Sequence, residues 1–215
     1  IAAGLKLSPK AIPFSDANAM LESDDLDLVI ISTPPNSHYS WAKKALSLGL
    51  HVILEKPMAL TVQECDELIA LAASKDLLLV VYQNRRFDDD FVTMKKLIDD
   101  GVIGEVFSYE SFVGGYSEPC SFWHSMVDVS GGAIFDWGSH FIDQILAIMP
   151  GEVASVTGIN QKRVWNHVTN ADHADVSITF TDGARALLRA RGARARDPHP
   201  RGARAVARDQ VGPPR

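Results

Sequence analysis

Along this chain, short blocks of uninterrupted apolar residues alternate with longer stretches in which apolar positions recur every three or four residues. From Asp27 onward the blocks are "LVIIST", "HVILEK" and "LLLVVYQ", each the length of a strand buried on both faces. The stretch "PPNSH" breaks the pattern after the first block, and "YSWAKKALSLG" reads as a helix that Gly49 ends. Thr61 and Glu64 form a capping box, T-V-Q-E, that opens a second helix with Val62, Cys65, Leu68, Ile69 and Ala72 at helical spacing. Strands taking turns with helices predict an α/β unit whose parallel sheet is covered on both faces and whose crossovers are right-handed.

The style then changes. "DDFVTMKKLIDDG" is still helical, but "VFSYESFV", "VASVTGIN" and "DVSITFT" alternate apolar with polar residues, which suits an antiparallel sheet in a second, α+β domain. The switch lies between Arg86 and Gly104, and we divide the chain into residues 1–95, residues 96–183 and a tail, residues 184–215.

Charge separates the tail from the rest. Of the 12 arginines, 9 lie in residues 184–215, giving the tail a net charge of +7, whereas residues 1–183 carry −13. The tail is 24 of 32 residues Ala, Arg, Gly or Pro, a composition that builds no core. A solvated basic extension, an arm that tracks nucleic-acid phosphates, and shifted-frame translation of a GC-rich gene are all consistent with it. After "DHADVSITFTDG", a strand and a turn, a return strand is expected, and arginine repeats follow instead. No nucleic-acid partner is expected for the acidic remainder. The two cysteines, Cys65 and Cys120, have no paired spacing, no apolar run reaches the length of a membrane span, and a cytoplasmic protein is expected.

Open parallel sheets bind ligands beyond the carboxyl ends of their strands. Three successive ends read Thr33-Pro34-Pro35, Glu55-Lys56-Pro57 and Asn84-Arg85-Arg86. Pro57 biases Lys56 to an extended backbone, so its ammonium is held at the rim. It is either a positioned cation or a solvated lysine paired with Glu55 or another acid. A second constellation lies in "SGGAIFDWGSHFIDQIL", residues 130–146. On a continuous helix Asp136, His140 and Asp143 share a stripe about 60° wide, opposite Phe141, Ile145 and Ile148. A carboxylate one turn from a histidine can fix its tautomer for acid–base work near neutral pH. A solvated polar face with a capping aspartate gives the same pattern, although the glycines at 131, 132 and 138 weaken a purely structural helix start. Cys120, His124, Asp136 and His140 are conceivable metal ligands, but without a dense Cys/His cluster no metal is expected. His38 reads as a cap or hydrogen-bonded residue or as a ligand contact, and Trp123 and Trp137 as packing.

With these residues in view, the chain resembles the glucose-fructose oxidoreductase, inositol dehydrogenase and MocA family. The matching motifs are "DLVIISTPPNSH" (27–38), "GLHVILEKPMALT" (49–61), "NRRFDDDF" (84–91), "GVIGEV" (101–106) and "GGAIFDWGSHFIDQIL" (131–146). The resemblance implies a Rossmann-type parallel sheet followed by an α+β domain carrying the substrate face and usually the oligomer contact, in a homo-oligomer. It implies NAD or NADP as cofactor and a sugar, polyol or related small molecule as substrate. Lys56, Asp136 and His140 would meet at the nicotinamide, with a peptide before Pro57 that is often cis. His140, supported by Asp136, would take the hydroxyl proton as hydride leaves the same carbon. Thr33, Pro34, Asn36 and His38, with Glu55, Lys56, Pro57 and Asn84, would border the cofactor.

The family's first strand and its G-x-G-x-x-G phosphate turn have no counterpart, since that motif occurs nowhere in the sequence. The expectation is therefore an interior fragment, lacking the first βαβ unit and ending in the basic tail, that is itself inactive. The competing reading is a non-catalytic ligand-binding or scaffold protein of the same fold. Unchanged turnover after Lys56→Ala in a chain with the βαβ unit restored would favour the latter.

Overall fold

A computed structural model describes residue 8 and residues 10–115 and 117–192. A short helix α1 (Ala17–Leu21), capped by the Asp16 side chain, precedes the first sheet. Strands β1 (Leu28–Ile31), β2 (His51–Glu55) and β3 (Leu79–Tyr82) pair in parallel in the order β1-β2-β3. Helix α2 (His38–Ser47) joins the first two and α3 (Val62–Ser74) the second two. The capping box forms as expected: Thr61 Oγ1 accepts from Glu64 N–H, and Glu64 returns a carboxylate oxygen to Thr61 N–H.

Val29, Ile31, Val52 and Leu54 point to one side, where Ala42, Ala45 and Leu46 of α2 and Leu68 and Ala72 of α3 bury them. The expectation of helices on both faces is corrected here. Two successive right-handed crossovers running in one direction place both helices on the same side. Among the described residues the other side is left open, with Leu28, Ile30, Val80 and Tyr82 exposed.

The second unit begins with α4 (Asp89–Asp99) and β4 (Ser108–Gly115). A one-turn helix α5 (Val127–Ser130), a π turn at Ile134–Gly138 and helix α6 (Ser139–Ile148) follow. Strands β5 (Val153–Gln161), β6 (His173–Phe180) and β7 (Arg185–Gly192) complete a sheet in the order β4-β7-β6-β5. Phe91 of α4 and Ile145 and Ile148 of α6 pack on Val176, Ile178, Phe180 and Leu188.

Two expectations change, and a third gains a detail. The division at residue 95 cuts α4, whose Phe91, Met94 and Ile98 pack into the second core, so the helix belongs wholly to the second unit. The second sheet is mostly antiparallel, as expected, and the structure adds one parallel pair, β4 with β7, after the helices of residues 127–148 intervene. The tail does not begin at 184: the return strand is present as β7, with Ala186, Leu188 and Ala190 inward and Arg185 and Arg189 outward. The Asp182-Gly183 turn that produces it needs the positive φ of +88° at Gly183 and is tied by Ala184 N–H donating to Asp182 Oδ1. The readings made for residues 193–215 lie outside the described residues.

Candidate active site

The carboxyl ends of β1 and β2 are fastened to each other by one buried side chain. His38, 1% exposed at the start of α2, places Nδ1 2.7 Å from the Pro57 carbonyl and Nε2 2.8 Å from the Thr33 carbonyl. Ser37 Oγ adds hydrogen bonds to Thr33 Oγ1 and to the Pro34 carbonyl. His38 thus sits as a brace between the loops after β1 and β2, with a carbonyl within hydrogen-bond distance of each ring nitrogen, to one of which the neutral ring's single N–H can donate. The Lys56–Pro57 peptide is cis, as the resemblance implied.

Lys56 leaves this edge and reaches the second unit. Its ammonium lies 2.5 Å from Asp136 Oδ1 and 3.2 Å from the Asp136 carbonyl, with the lysine side chain 19% and the aspartate 34% exposed. The partner is neither solvent nor Glu55 but an acid 80 residues on. Two of three ammonium hydrogens are engaged, which leaves one uncommitted among the described residues.

Asp136 is presented by the π turn between α5 and α6. Gly131 and Gly132, with φ of +78° and +101°, end α5 and redirect the chain. A Cβ on Gly131 would lie 2.9 Å from Leu60, so the glycine also admits the loop that follows Lys56. The π turn breaks the continuous stripe expected for Asp136, His140 and Asp143, because its wider turn shifts Asp136 out of phase with α6. Asp136 pairs with Lys56 rather than His140, and Asp143 accepts from Arg86 Nε at 2.7 Å and Nη2 at 2.5 Å. The "NRRF" motif acts here as a latch. Besides the Arg86 pair, the Arg85 carbonyl accepts from Gln144, and the Arg85 guanidinium lies 4.5 Å from the centroid of the Trp137 ring.

His140 is 5% exposed, and its Nδ1 has no hydrogen-bond partner. Burial lowers its pKa to about 4, with the cations of Lys56 and Arg85 acting in the same direction and Asp136 opposing them. The imidazole is therefore neutral at neutral pH. The arrangement sets a cation, its carboxylate partner and a neutral base side by side.

Two cavities meet at this point. One of ≈ 250 Å³ is lined on the first unit by Thr33, Glu55, Lys56 and Pro57 and on the second by Trp123 and Asp136. The other, of ≈ 540 Å³, lies between the helical segment and the ends of β4 and β7. His124 and Asp136 belong to both linings. Of the residues expected at the cofactor, Thr33, His38, Glu55, Lys56 and Pro57 line the smaller cavity, whereas Pro34, Asn36 and Asn84 do not, and the buried His140 lines neither cavity. Ser32, Pro35, Trp123, His124 and Ser130 join the lining without having been expected at the cofactor. Trp123 stacks on His124 with centroids 3.6 Å apart, a pairing that the adjacent letters alone could have suggested. Among the described residues no three His, Cys, Asp or Glu side chains gather in a way that could hold a metal ion, and no helix is long and apolar enough to cross a membrane.

Comparison with known proteins gives two consecutive family matches. Residues 3–83 match the oxidoreductase family with an NAD-binding Rossmann fold, and residues 91–202 match the GFO/IDH/MocA C-terminal domain, a span that includes β7. An uncharacterized oxidoreductase of Schizosaccharomyces pombe is 40% identical over 151 residues, 69% of this chain and 41% of that protein. The Bacillus subtilis scyllo-inositol 2-dehydrogenase (NADP(+)) IolW is 36% identical over 151 residues, 66% of this chain and 42% of that protein. The crystal structure of an NAD-binding protein from Listeria innocua superposes with a TM-score of 0.79 at 31% identity, covering 89% of this chain and 53% of that one. The chain thus spans about half the length of the relatives it matches. The smaller cavity, lined by an ammonium and by strand-end loops, lies beyond the carboxyl ends of a parallel sheet, where such sheets bind ligands, while the sequence holds no glycine-rich phosphate turn.

Proposed function

Because the chain belongs to the Gfo/Idh/MocA family of NAD-binding oxidoreductases, we propose that it carries the catalytic half of an enzyme that oxidises or reduces a hydroxyl carbon of a sugar, polyol or related small molecule with NAD or NADP. The observation that carries this reading is the Lys56–Asp136 pair, which joins the two units at the mouth of the cavity beyond β1 and β2. The inositol dehydrogenase among the relatives supports the substrate class.

Alcohol oxidation sheds a proton and a hydride from one H–C–O–H unit. Lys56, held by Asp136, directs its remaining N–H to the substrate oxygen and stabilises the negative charge that develops there. The candidate acceptor of the hydroxyl proton is His140, whose neutral imidazole has an unpartnered Nδ1 but is buried and lines neither cavity, and the nearby ammonium lowers the hydroxyl's own affinity for that proton. The nicotinamide, when bound, supplies the hydride acceptor. Thr33, Glu55 and Pro57 border it, and His38 fixes the spacing of their loops.

Reduced nicotinamide mononucleotide tests this on the chain as it stands, since it needs no pyrophosphate cradle. Titration followed by amide NMR is expected to move the signals of Thr33, Lys56 and Asp136, and Lys56→Ala to remove the effect. Unmoved signals at saturating mononucleotide would overturn the reading.

A further inference from the structure

Strand β5 is left with a free edge. The second sheet runs β4-β7-β6-β5, so β5 bonds to β6 on one side and, among the described residues, to no strand on the other. All its residues are exposed except Gln161, which is half-buried. Protein edges are blunted by charged side chains, by proline or by short length. Here β5 is the longest strand of its sheet, and "VASVTGINQ" holds neither a charge nor a proline. Its bulge lies at the start, between Val153 and Ser155, and leaves residues 155–161 in regular pairing with β6. The opposite edge, β4, differs: it carries Glu110, paired with Arg189 at 3.5 Å, and ends in two glycines.

The apolar residues of β5 are uncovered on both sides of the sheet. Val156 stands opposite Ile178, a buried member of the second core, yet is itself 58% exposed, so α4 and α6 stop short of β5. Ile159 stands opposite Asp175 on the other side and is equally exposed. A docked helix would cover one of these sides. A strand added to the edge brings neighbours to both, because its side chains alternate. The charges flanking β5 set the direction of that strand. Glu152 precedes it, Lys162 and Arg163 follow it, and all three are exposed. Lys162 donates to the carbonyls of Val168 and Asn170, which leaves its charge unmatched by a carboxylate among the described residues. A second β5 running antiparallel brings the acidic start of each strand to the basic end of the other, twice about one two-fold axis, and sets no like charges opposite each other along the strand. The sequence of residues 193–215, with four prolines and two glycines, is poorly suited to the same place.

We propose that the edge of β5 is a contact between two copies of this chain, β5 against β5 in antiparallel, which merges their four-stranded sheets into one continuous sheet. The free N–H and C=O groups of each edge exchange water for the other strand, and Val156 and Ile159 of both copies leave water in the same step. The ladder would be about 30 Å long, and little besides the edge is buried, so the contact is of the weak, reversible class. It is independent of the proposed hydride chemistry and of both cavities, since no residue of β5 lines either one.

Sedimentation equilibrium of the 215-residue chain tests this, with a monomer–dimer dissociation constant on the order of 10–100 μM expected. Above that midpoint, hydrogen exchange of the β5 amides that face away from β6 is expected to slow at least about fivefold relative to a dilute sample, while exchange in β4 stays the same. Val156→Lys puts a charge beside the edge on the side facing α4 and α6. It is expected to weaken the dimer at least about tenfold with an unchanged thermal unfolding transition, the position being exposed. Phe112→Glu, on the other side of the sheet and 66% exposed, is expected to leave the dissociation constant unchanged. A chain that stays monomeric throughout, β5 amides already slow in the dilute sample, or a dimer kept by Val156→Lys and lost by Phe112→Glu would overturn the assignment.

Discussion

Two buried histidines face each other's territory across the cleft, and their surroundings could hardly differ more. His38, on the wall built by the first sheet, has a carbonyl at each ring nitrogen. His140, on the wall built by α6, has an orphaned Nδ1 and two cations nearby. Burial alone does not separate them, at 1% and 5% exposure. The presence of a partner does: His38 has a carbonyl to which its N–H can donate, whereas His140 Nδ1 has none among the described residues, and folding penalises a buried polar group left without a partner. The first wall is scaffold, and the second keeps an unmet polar group where chemistry is proposed.

The sharpest way to break this contrast is to delete each ring. His38→Ala removes the ring held between two carbonyls, losing a buried hydrogen bond and opening a cavity, and a loss of about 2–4 kcal/mol is expected in urea unfolding. His140→Leu removes a polar atom that has no partner and keeps most of the volume, so its effect is expected within about 1 kcal/mol of zero. Equal losses would erase the distinction.

Acid titration separates the two residues next. The pKa of His140 is lowered from 6.5 to about 4 in the folded chain. The unfolded chain therefore takes up that proton first as pH falls, and the folded state loses stability between about pH 6.5 and pH 4. From that difference the loss reaches about 3 kcal/mol at the lower end. His140→Leu is expected to flatten this stretch of the stability profile. A variant with the same acid slope as the unsubstituted chain would assign the slope to other groups.

The latch that holds the two walls in register comes third. Arg86→Ala and Asp143→Ala are each expected to cost about 1–2 kcal/mol, Asp143 being the less exposed partner. The double variant should cost little more than either single one. Full additivity in the cycle would mean that the bidentate geometry contributes nothing.

How far these walls were legible in the sequence depends on whether the determining pattern was local. The strand ends, the Thr61 capping box and the helix stop at Gly49 follow from spacing within a dozen residues, and they stand where they were expected. The partner of Lys56 lies 80 residues away, and single-sequence periodicity carries no such pairing. The stripe through Asp136, His140 and Asp143 failed because it assumed 100° per residue through a π turn that Gly131, Gly132 and Gly138 flank or enter. Strand β7 was obscured by averaging, because arginine-rich composition over residues 184–215 hid an A-x-L-x-A alternation at Ala186, Leu188 and Ala190. Which strand β4 would meet was equally out of reach, since its parallel partner β7 lies about 77 residues further along the chain.

The smallest expected effect tests the scaffold side on its own terms. Thr61→Ala breaks the capping box of α3 by removing the acceptor for Glu64 N–H, at a cost of about 1 kcal/mol. Thr61 lies five residues beyond Lys56, yet it lines neither cavity. If the first wall acts only by holding its loops, the loss should appear in urea unfolding while the NMR shifts caused by reduced nicotinamide mononucleotide at Lys56 keep their midpoint. A weakened midpoint would show that α3 sets the position of Lys56 as well as its stability, and the division between scaffold and site would then run through the E-K-P turn rather than across the cleft.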